Sequence, residues 1–346
     1  MGAGGLDVLD GLDRLRLLDG PTPIQRLHRL ERQLGPALGG TRLYVKRDDQ
    51  MALGGGGNKL RKLEFLLGAA VREGCDTFIT TGGVQSNHAR LSAAASAYAG
   101  LACELVLARV VARDDPSYRR NGNILLDGLF GATVHELDGT ADTLAFAHER
   151  ARALKAEGRS AYVVGVGGSS PLGSLGYADC AREITAQEAA LSERFEKIVV
   201  ANGSAGSHAG LAAGFAAMGQ DPARVRSFTV LAPEQDARRT TTVLAQDILA
   251  LLGAQAEIRP DSIDVSGAER GEGYGIPTAA MLATVRLMAR TEGLLLDPVY
   301  SGKAFAGFLS DACNGAYGEG KAALFVMTGG VPGLFAYQPA FETDAF

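Results

Sequence analysis

Apolar residues along this chain fall into short continuous runs, separated by longer stretches in which they recur every three or four positions. The runs predict buried strands and the recurrences predict amphipathic helices. The run LYVK at 43–46 is the first strand, followed by a glycine run at 54–57 and a helix over about 59–73. Strand 77–81, a Gly-Gly loop, an Ala-rich helix over 87–99, strand 102–108 and a helix around 121–130 come next. Strand 133–137, helix 141–157 and strand 161–164 follow. The second half repeats the rhythm with helix 172–190, strand 197–201, a glycine loop, helix 208–219, strand 227–231 and helix 238–252. Helix 278–292, strand 323–327 and a Gly-Gly turn close it. Strands alternating with helices predict an α/β fold with mostly parallel sheets covered on both faces. No linker rich in Pro, Ser or charge divides the chain, and no solenoid repeat or low-complexity tract is visible, so any two lobes interleave.

Composition narrows the function classes. The 346 residues suffice for two lobes and a large core. Glycine, 46 of them, is present at about twice the usual share of ~7%, largely in runs beside apolar stretches. That suits tight turns and close approach of backbone to a ligand. A net charge of −5, with bases interleaved among acids, argues against a nucleic-acid partner. Cys75, Cys103, Cys180 and Cys313 form no CxxC pair and no metal-binding spacing, which suits a reducing compartment and no metal. The N-terminus carries acids and lacks a basic region followed by an apolar run, and no stretch approaches ~18 uncharged apolar residues. The expectation is a cytoplasmic protein with no membrane partner.

In open parallel sheets, ligands sit where strands end in loops that open into helices. Four such loops here are both Gly-rich and polar: GGGGNKLRK (54–62), TGGVQSNH (81–88), ANGSAGSHAG (201–210) and MTGGVP (327–332). Together they suggest one flat, anionic ligand. Lys59 opens a helix behind four glycines and Asn58. A helix N-terminus disfavours a nearby ammonium and so frees the amine as a nucleophile. Lys62, three residues on, shares its face; one lysine suits a Schiff base and the other a phosphate. The plain alternative is a glycine loop followed by a charged surface helix. A phosphate-binding P-loop needs Gly-Lys-Ser/Thr, and the order here is Asn-Lys-Leu. Backbone N–H groups from Gly203 to Gly210 suit a phosphate at a helix start, although the spacing does not match a dinucleotide fingerprint. Ser86, Asn87 and His88 stand at another helix start, where Ser and Asn also serve as plain caps. A Ser–His hydrolase lacks both GxSxG and an evident acid partner.

Ordered motifs across nearly the whole chain resemble those of the tryptophan-synthase-β-like pyridoxal-phosphate enzymes. Within that group the chain is similar to the D-cysteine desulfhydrase and 1-aminocyclopropane-1-carboxylate deaminase family. The motifs are PTPIQRL (21–27), VKRDD (45–49), GGNKLRKLEFL (56–66), VQSNHAR (84–90), GNILLD (122–127), VGGSSPLGSLGY (166–177), GSAGSHAGL (203–211), YGIP (274–277), LDPVYSGKA (296–304) and TGGVPGLFAY (328–337). The resemblance implies fold type II, with two open, mostly parallel-sheet lobes. It divides the chain into a larger cofactor-binding domain (1–62 with 166–346) and a smaller inserted one (63–165). Pyridoxal 5′-phosphate is the implied cofactor, bound through Lys59, which also moves the substrate's α-proton. Lys62 and the loop Gly203, Ser204, Ala205, Gly206 and Ser207 are implied to hold the phosphate, and Asn87 to meet the ring hydroxyl. Ser86, with Asn87 and His88, is implied at the substrate, and Tyr274 and Tyr300 above the active site; for the tyrosines, plain apolar packing is the alternative. Members of the group are usually homodimers.

Position 301 separates two chemistries within the resemblance. The ring-opening deaminases carry Glu there, which keeps the pyridine nitrogen protonated and the ring a strong electron sink. Ser301 gives only a neutral hydrogen bond, which suffices when a good leaving group departs from Cβ. The expectation is a carbon–sulfur lyase acting by α,β-elimination on a small β-substituted amino acid, D-cysteine first, with L-cysteate and then 1-aminocyclopropane-1-carboxylate as alternatives. The segments ARLSAAA after SNH and YGIPT depart from the family pattern near the substrate. A non-catalytic ligand-binding member of the fold is the alternative of another class, against which Lys59 stands.

Overall fold

The computed structural model describes residues 4–342. The helices are α1 (His28–Leu34), α2 (Lys59–Arg72), α3 (Asn87–Ala99), α4 (Pro116–Arg120), α5 (Asn123–Leu129), α6 (Thr143–Ala156), α7 (Pro171–Leu191), α8 (Gly206–Ala217), α9 (Glu234–Leu252), α10 (Ala279–Glu292), α11 (Ser301–Cys313), α12 (Pro332–Ala336) and α13 (Pro339–Glu342). The strands are β1 (Ile24–Arg26), β2 (Arg42–Lys46), β3 (Thr77–Gly83), β4 (Ala102–Ala108), β5 (Thr133–Leu137), β6 (Ala161–Val164), β7 (Phe195–Asn202), β8 (Val225–Thr229), β9 (Asp264–Ser266) and β10 (Ala322–Val326). They form two sheets. One has the order β1-β2-β10-β7-β8-β9, parallel except for β1; the other has the order β5-β4-β3-β6 and is parallel throughout.

Each parallel sheet is covered on both faces, as its apolar strands require. On one side of the six-stranded sheet, Leu175, Ala178, Leu211, Phe215 and Ile248 from α7, α8 and α9 pack on Ile198, Val200 and Leu324. On the other, Met281, Val285, Phe305 and Phe308 from α10 and α11 pack on Val199, Phe228 and Phe325. The helices α7 and α8 meet through small residues. A Cβ at Gly210 would lie 2.4 Å from Ser174 O, and one at Gly214 2.7 Å from Ala178 O. On the smaller sheet, Leu63, Leu67, Leu91 and Phe78 join α2, α3 and β3 on one face, while Ala147 and Leu154 of α6 pack on Ile79 and Val106 from the other.

Several boundaries differ from the sequence expectation for local reasons. The predicted helix 121–130 is α5, which starts at Asn123 because Gly122 before it adopts φ 66°, and the polar segment ahead of it holds the short helix α4, capped by Asp115. β8 lies at 225–229, two residues before the predicted strand, since its register pairs Ile198 with Val225 and Phe228 with Ser266. The phosphate-loop helix begins at Gly206 rather than 208, and α9 begins at Glu234 rather than 238. Strands β1 and β9 and helices α1, α4, α11, α12 and α13 are not among the sequence expectations.

Candidate active site

The C-terminal ends of β3, β4, β7 and β10 open onto one cavity of ≈250 Å³, lined by the loops that follow them. The first loop carries Lys59. Gly56 and Gly57 take φ 76° and 135°, and a Cβ at Gly56 would lie 2.4 Å from Asp49 O, so the turn admits no side chain there. Asn58 N–H donates to Thr328 O (3.1 Å), which ties this loop to the end of β10. Lys59 is then the first residue of α2 and lines the cavity, half-buried. Burial draws its amine down to a pKa of about 8, against the opposing charge of Asp297.

Lys62, one turn on, lies just behind the wall and is fully buried. Its Nζ donates to Ser169 Oγ (2.8 Å) and Gly167 O (3.1 Å), and Ser169 Oγ is 2.7 Å from Ser204 Oγ. Burial, with Lys59 nearby, holds its pKa well below the usual lysine value. The loop after β7 supplies Gly203 to Ser207 to the same cavity. Ala205 is turned into the left-handed region at φ 68°, with its N–H on Asn202 Oδ1 (3.1 Å), and so aims the start of α8 at the cavity. The first N–H groups of an α-helix have no partner inside it. A Cβ at Gly206 would lie 2.4 Å from Lys62 Nζ, so only glycine lets the lysine and the helix start come together.

On the opposite wall, Ser86 caps α3, accepting from Ala89 N (3.1 Å), and Asn87 accepts from Asn123 Nδ2 (3.0 Å). His88 is buried, with Nε2 on Thr80 Oγ1 (2.8 Å), and burial keeps its pKa well below 6.5, so it is a neutral ring in the wall. Tyr274 and Tyr300 bring their hydroxyls to 2.6 Å, with rings edge to face at 5.8 Å. Burial raises the pKa of both, which keeps them protonated. The structure thus gathers Lys59, Ser86, Asn87, His88, Gly203 to Ser207, Tyr274 and Tyr300 around one space, with Lys62 and Ser301 behind its wall.

Ser301 is already engaged. Its Oγ donates to Asp297 Oδ2 (2.6 Å) and accepts from Asp297 N (2.8 Å). Asp297, which sequence reasoning passed over, is fully buried and also accepts from the N–H groups of Val299, Tyr300 and Ser301. Burial raises its pKa, against those bonds. The only hint in the sequence was the Asp-Pro pair in LDPVYS, four residues before Ser301. Asn58, Asn202, Ser169 and Thr328 were also missed, each being a polar residue inside a loop read for its glycines.

Comparison with known proteins gives the family. A family model described as pyridoxal-phosphate dependent enzyme matches residues 15–329. The chain belongs to the pyridoxal-phosphate-dependent enzymes. Within this family it is 42% identical over 334 residues to a D-cysteine desulfhydrase of Klebsiella pneumoniae, covering 96% of this chain and 99% of that one. It is 41% identical over 326 residues to a D-cysteine desulfhydrase of Yersinia enterocolitica, covering 94% and 96%. A solved structure of an ACC deaminase homologue superposes with a TM-score of 0.86 at 35% identity, covering 99% of both chains. The fold is that of these fold-type-II enzymes, and the cofactor is pyridoxal phosphate.

The residues present fit that cofactor. An amine of lowered pKa meets its need for a nucleophile towards an aldehyde. The start of α8, with a buried lysine where a Cβ would clash, is a cradle for a dianionic phosphate. Among the described residues there is no group of three or more side chains suited to a metal ion, and no helix is long and apolar enough to cross a membrane.

Proposed function

We propose that this enzyme converts D-cysteine and water into pyruvate, hydrogen sulfide and ammonia by α,β-elimination. The observation that carries the reading is Lys59, an amine of pKa about 8 that shares one cavity with the glycine-lined start of α8. Relatives named D-cysteine desulfhydrase, aligned over nearly the full length, support the choice of substrate. When bound, pyridoxal phosphate supplies an aldehyde for amine capture and a ring that delocalises the electron pair left at Cα.

The chain does the rest by position. Gly203 to Ser207 and Lys62 would hold the phosphate, in the same cavity that Lys59 lines. Ser86 uses an oxygen lone pair to cap Ala89 N–H, leaving its O–H to donate to the substrate carboxylate beside the start of α3. Asn87 would meet the ring hydroxyl, and His88 closes the wall as a neutral group. Lys59, as a free amine of lowered pKa, is the base that takes the proton from Cα. Tyr274 and Tyr300 are kept protonated by burial, and because their hydroxyls bond each other the pair has one O–H left to donate to the departing sulfur. Water then completes the conversion to ketone and ammonia.

At 301 a serine faces Asp297 where a ring-opening deaminase carries glutamate, which favours elimination of a good leaving group. The strands of the six-stranded sheet fall within 1–62 and 166–346 and those of the other within 63–165, which supports a cofactor domain with a smaller inserted one. The same reading has the enzyme act in the cytoplasm as a homodimer. Pyruvate release measured on D-cysteine, L-cysteate, β-chloro-D-alanine and 1-aminocyclopropane-1-carboxylate tests it. D-cysteine is expected to turn over fastest. Faster release of sulfite from L-cysteate would make this a sulfo-lyase, and turnover of the cyclopropane would overturn the argument from Ser301.

A further inference from the structure

Behind Asn87 lies a chain of buried polar groups that the reaction does not use directly. Arg90, three residues on in α3, is fully buried. Its Nη1 donates to Asn123 Oδ1 (3.1 Å) and its Nη2 to Gly56 O (2.7 Å), in the loop that carries Lys59. Asn123, also fully buried at the start of α5, donates through Nδ2 to the Gln85 carbonyl (2.9 Å) and to Asn87 Oδ1 (3.0 Å). Its own N–H donates to Gln85 Oε1 (2.9 Å).

The polarity of this chain is fixed at both ends. A guanidinium only donates, and a peptide carbonyl only accepts. Burial draws Arg90 down to a pKa of about 10 against the charges of Asp127 and Asp297, so it stays cationic in neutral solution. Asn123 therefore turns its oxygen to Arg90 and its NH2 to Gln85 and Asn87. Asn87 must answer with its oxygen, which leaves its own NH2 turned the other way. A Cβ at Gly330 would lie 2.6 Å from Asn87 Nδ2, which places that group on the side of Gly330 and Asp297.

We propose that Asn123 and Arg90 are positioning residues that lock the Asn87 amide with its N–H donors towards the cofactor ring, an inference that rests on the cofactor reading of this cavity. A donor aimed at the ring hydroxyl's oxygen favours the form in which that oxygen holds a full negative charge. It thereby lowers the pH at which the proton shared with the Lys59 nitrogen is lost. With the lock removed, the Asn87 amide turns freely and that preference weakens.

The experiment titrates the visible cofactor band of the holoenzyme with pH in wild type, Asn87→Ala, Asn123→Leu and the double variant. Pyridoxal phosphate affinity is measured on the same four proteins. Asn123→Leu is expected to raise the midpoint by about 0.5–1 pH unit and to weaken cofactor binding about 3- to 10-fold, the effect of one neutral hydrogen bond. The double variant is expected to match Asn87→Ala alone, because Asn123 acts through Asn87. A midpoint in Asn123→Leu equal to wild type, or a double variant in which the two shifts add, overturns the proposal. Where Asn123→Leu does not fold, Asn123→Asp keeps the volume and the bond from Arg90 but offers Asn87 an acceptor. It is expected to move the midpoint in the same direction, and an unchanged midpoint there also overturns the proposal. The titration contains no substrate, so failure to turn over D-cysteine leaves this inference standing. An Asn87→Ala midpoint equal to wild type removes the inference and leaves the lyase reading intact.

Discussion

Replacing Lys59 by methionine in the cofactor-free protein tests the electrostatics on which the site depends. The amine has a pKa of about 8 in the folded chain, against 10.5 when free. Neutral amine at pH 7 is thereby enriched about 300-fold, which is what capture of an aldehyde requires. The same shift destabilises the folded apoprotein below pH 8, where a charged ammonium must be held in a desolvated place. Between pH 8 and 10.5 the unfolded chain binds the proton and the folded chain does not, so wild-type stability rises with pH across that window. A shift of this size corresponds to about 3 kcal/mol for a fully dry group, and to on the order of 1–2 kcal/mol for one that opens on a solvent-filled cavity.

Lys59→Met removes this dependence, and it also lifts the repulsion that lowers the pKa of Lys62 and His88. The assay is urea unfolding of both apoproteins at half-unit steps from pH 7 to pH 10. Methionine is expected to be the more stable at pH 7, less the attraction to Asp297 that it forfeits. The gap is expected to close as pH rises through 8 to 10. A gap that stays flat across this range, or a wild type more stable at pH 7 than at pH 10 relative to the variant, refutes the claim of a depressed amine.

Other substitutions probe the remaining walls. Lys62→Met removes the buried amine at the start of α8 and is expected to weaken pyridoxal phosphate binding about 10- to 100-fold by equilibrium dialysis, the range for a hydrogen bond to a charged phosphate. Gly210→Ala places a Cβ 2.4 Å from Ser174 O and 2.5 Å from Tyr177 Cβ, so α7 and α8 must part; overpacking of about 1–3 kcal/mol is expected as a lower melting temperature in calorimetry. Arg61→Met leaves Asp48 buried without its cation and is expected to lower stability by about 3–5 kcal/mol in urea titration.

What the sequence revealed and what it hid follow from how each element is stabilised. Strands such as β3 and β4 are apolar runs bounded by turns, and parallel sheets buried on both faces read that way. Helix α11 was missed because residues 301–309 are all buried, so SGKAFAGFL has no polar face to give a period. The strand β8 was displaced because VRSFTVL is extended-compatible throughout, and only pairing with β7 selects its span. Lys59 stood out because a glycine run before a lysine has few other uses. Asp297 did not, because its importance comes from four donors converging on it after the turn has formed. Asn123 was hidden for the same reason: its two ends are set by Arg90 and by the Gln85 carbonyl, and only the fold brings these together.

The helix that carries both lysines shows how the fold converts a sequence pattern into a directed site. Lys59 and Lys62 project to one side of α2, and Arg61 between them points away. Its guanidinium grips Asp48 through two bonds of 2.8 and 2.9 Å and reaches Glu183 on α7 at 2.8 Å. Asp48 is held in turn by Thr22 (2.8 Å) and the Tyr177 hydroxyl (2.9 Å). A hydrophobic face alone would tolerate small rotations of α2 about its axis, since apolar contacts have little directionality. A planar guanidinium with two paired carboxylates does not. Buried ion pairs of this kind add little net stability over an apolar replacement, so their contribution here is the orientation of α2. It is that orientation which keeps the Lys59 amine at the cavity and the Lys62 amine against the start of α8.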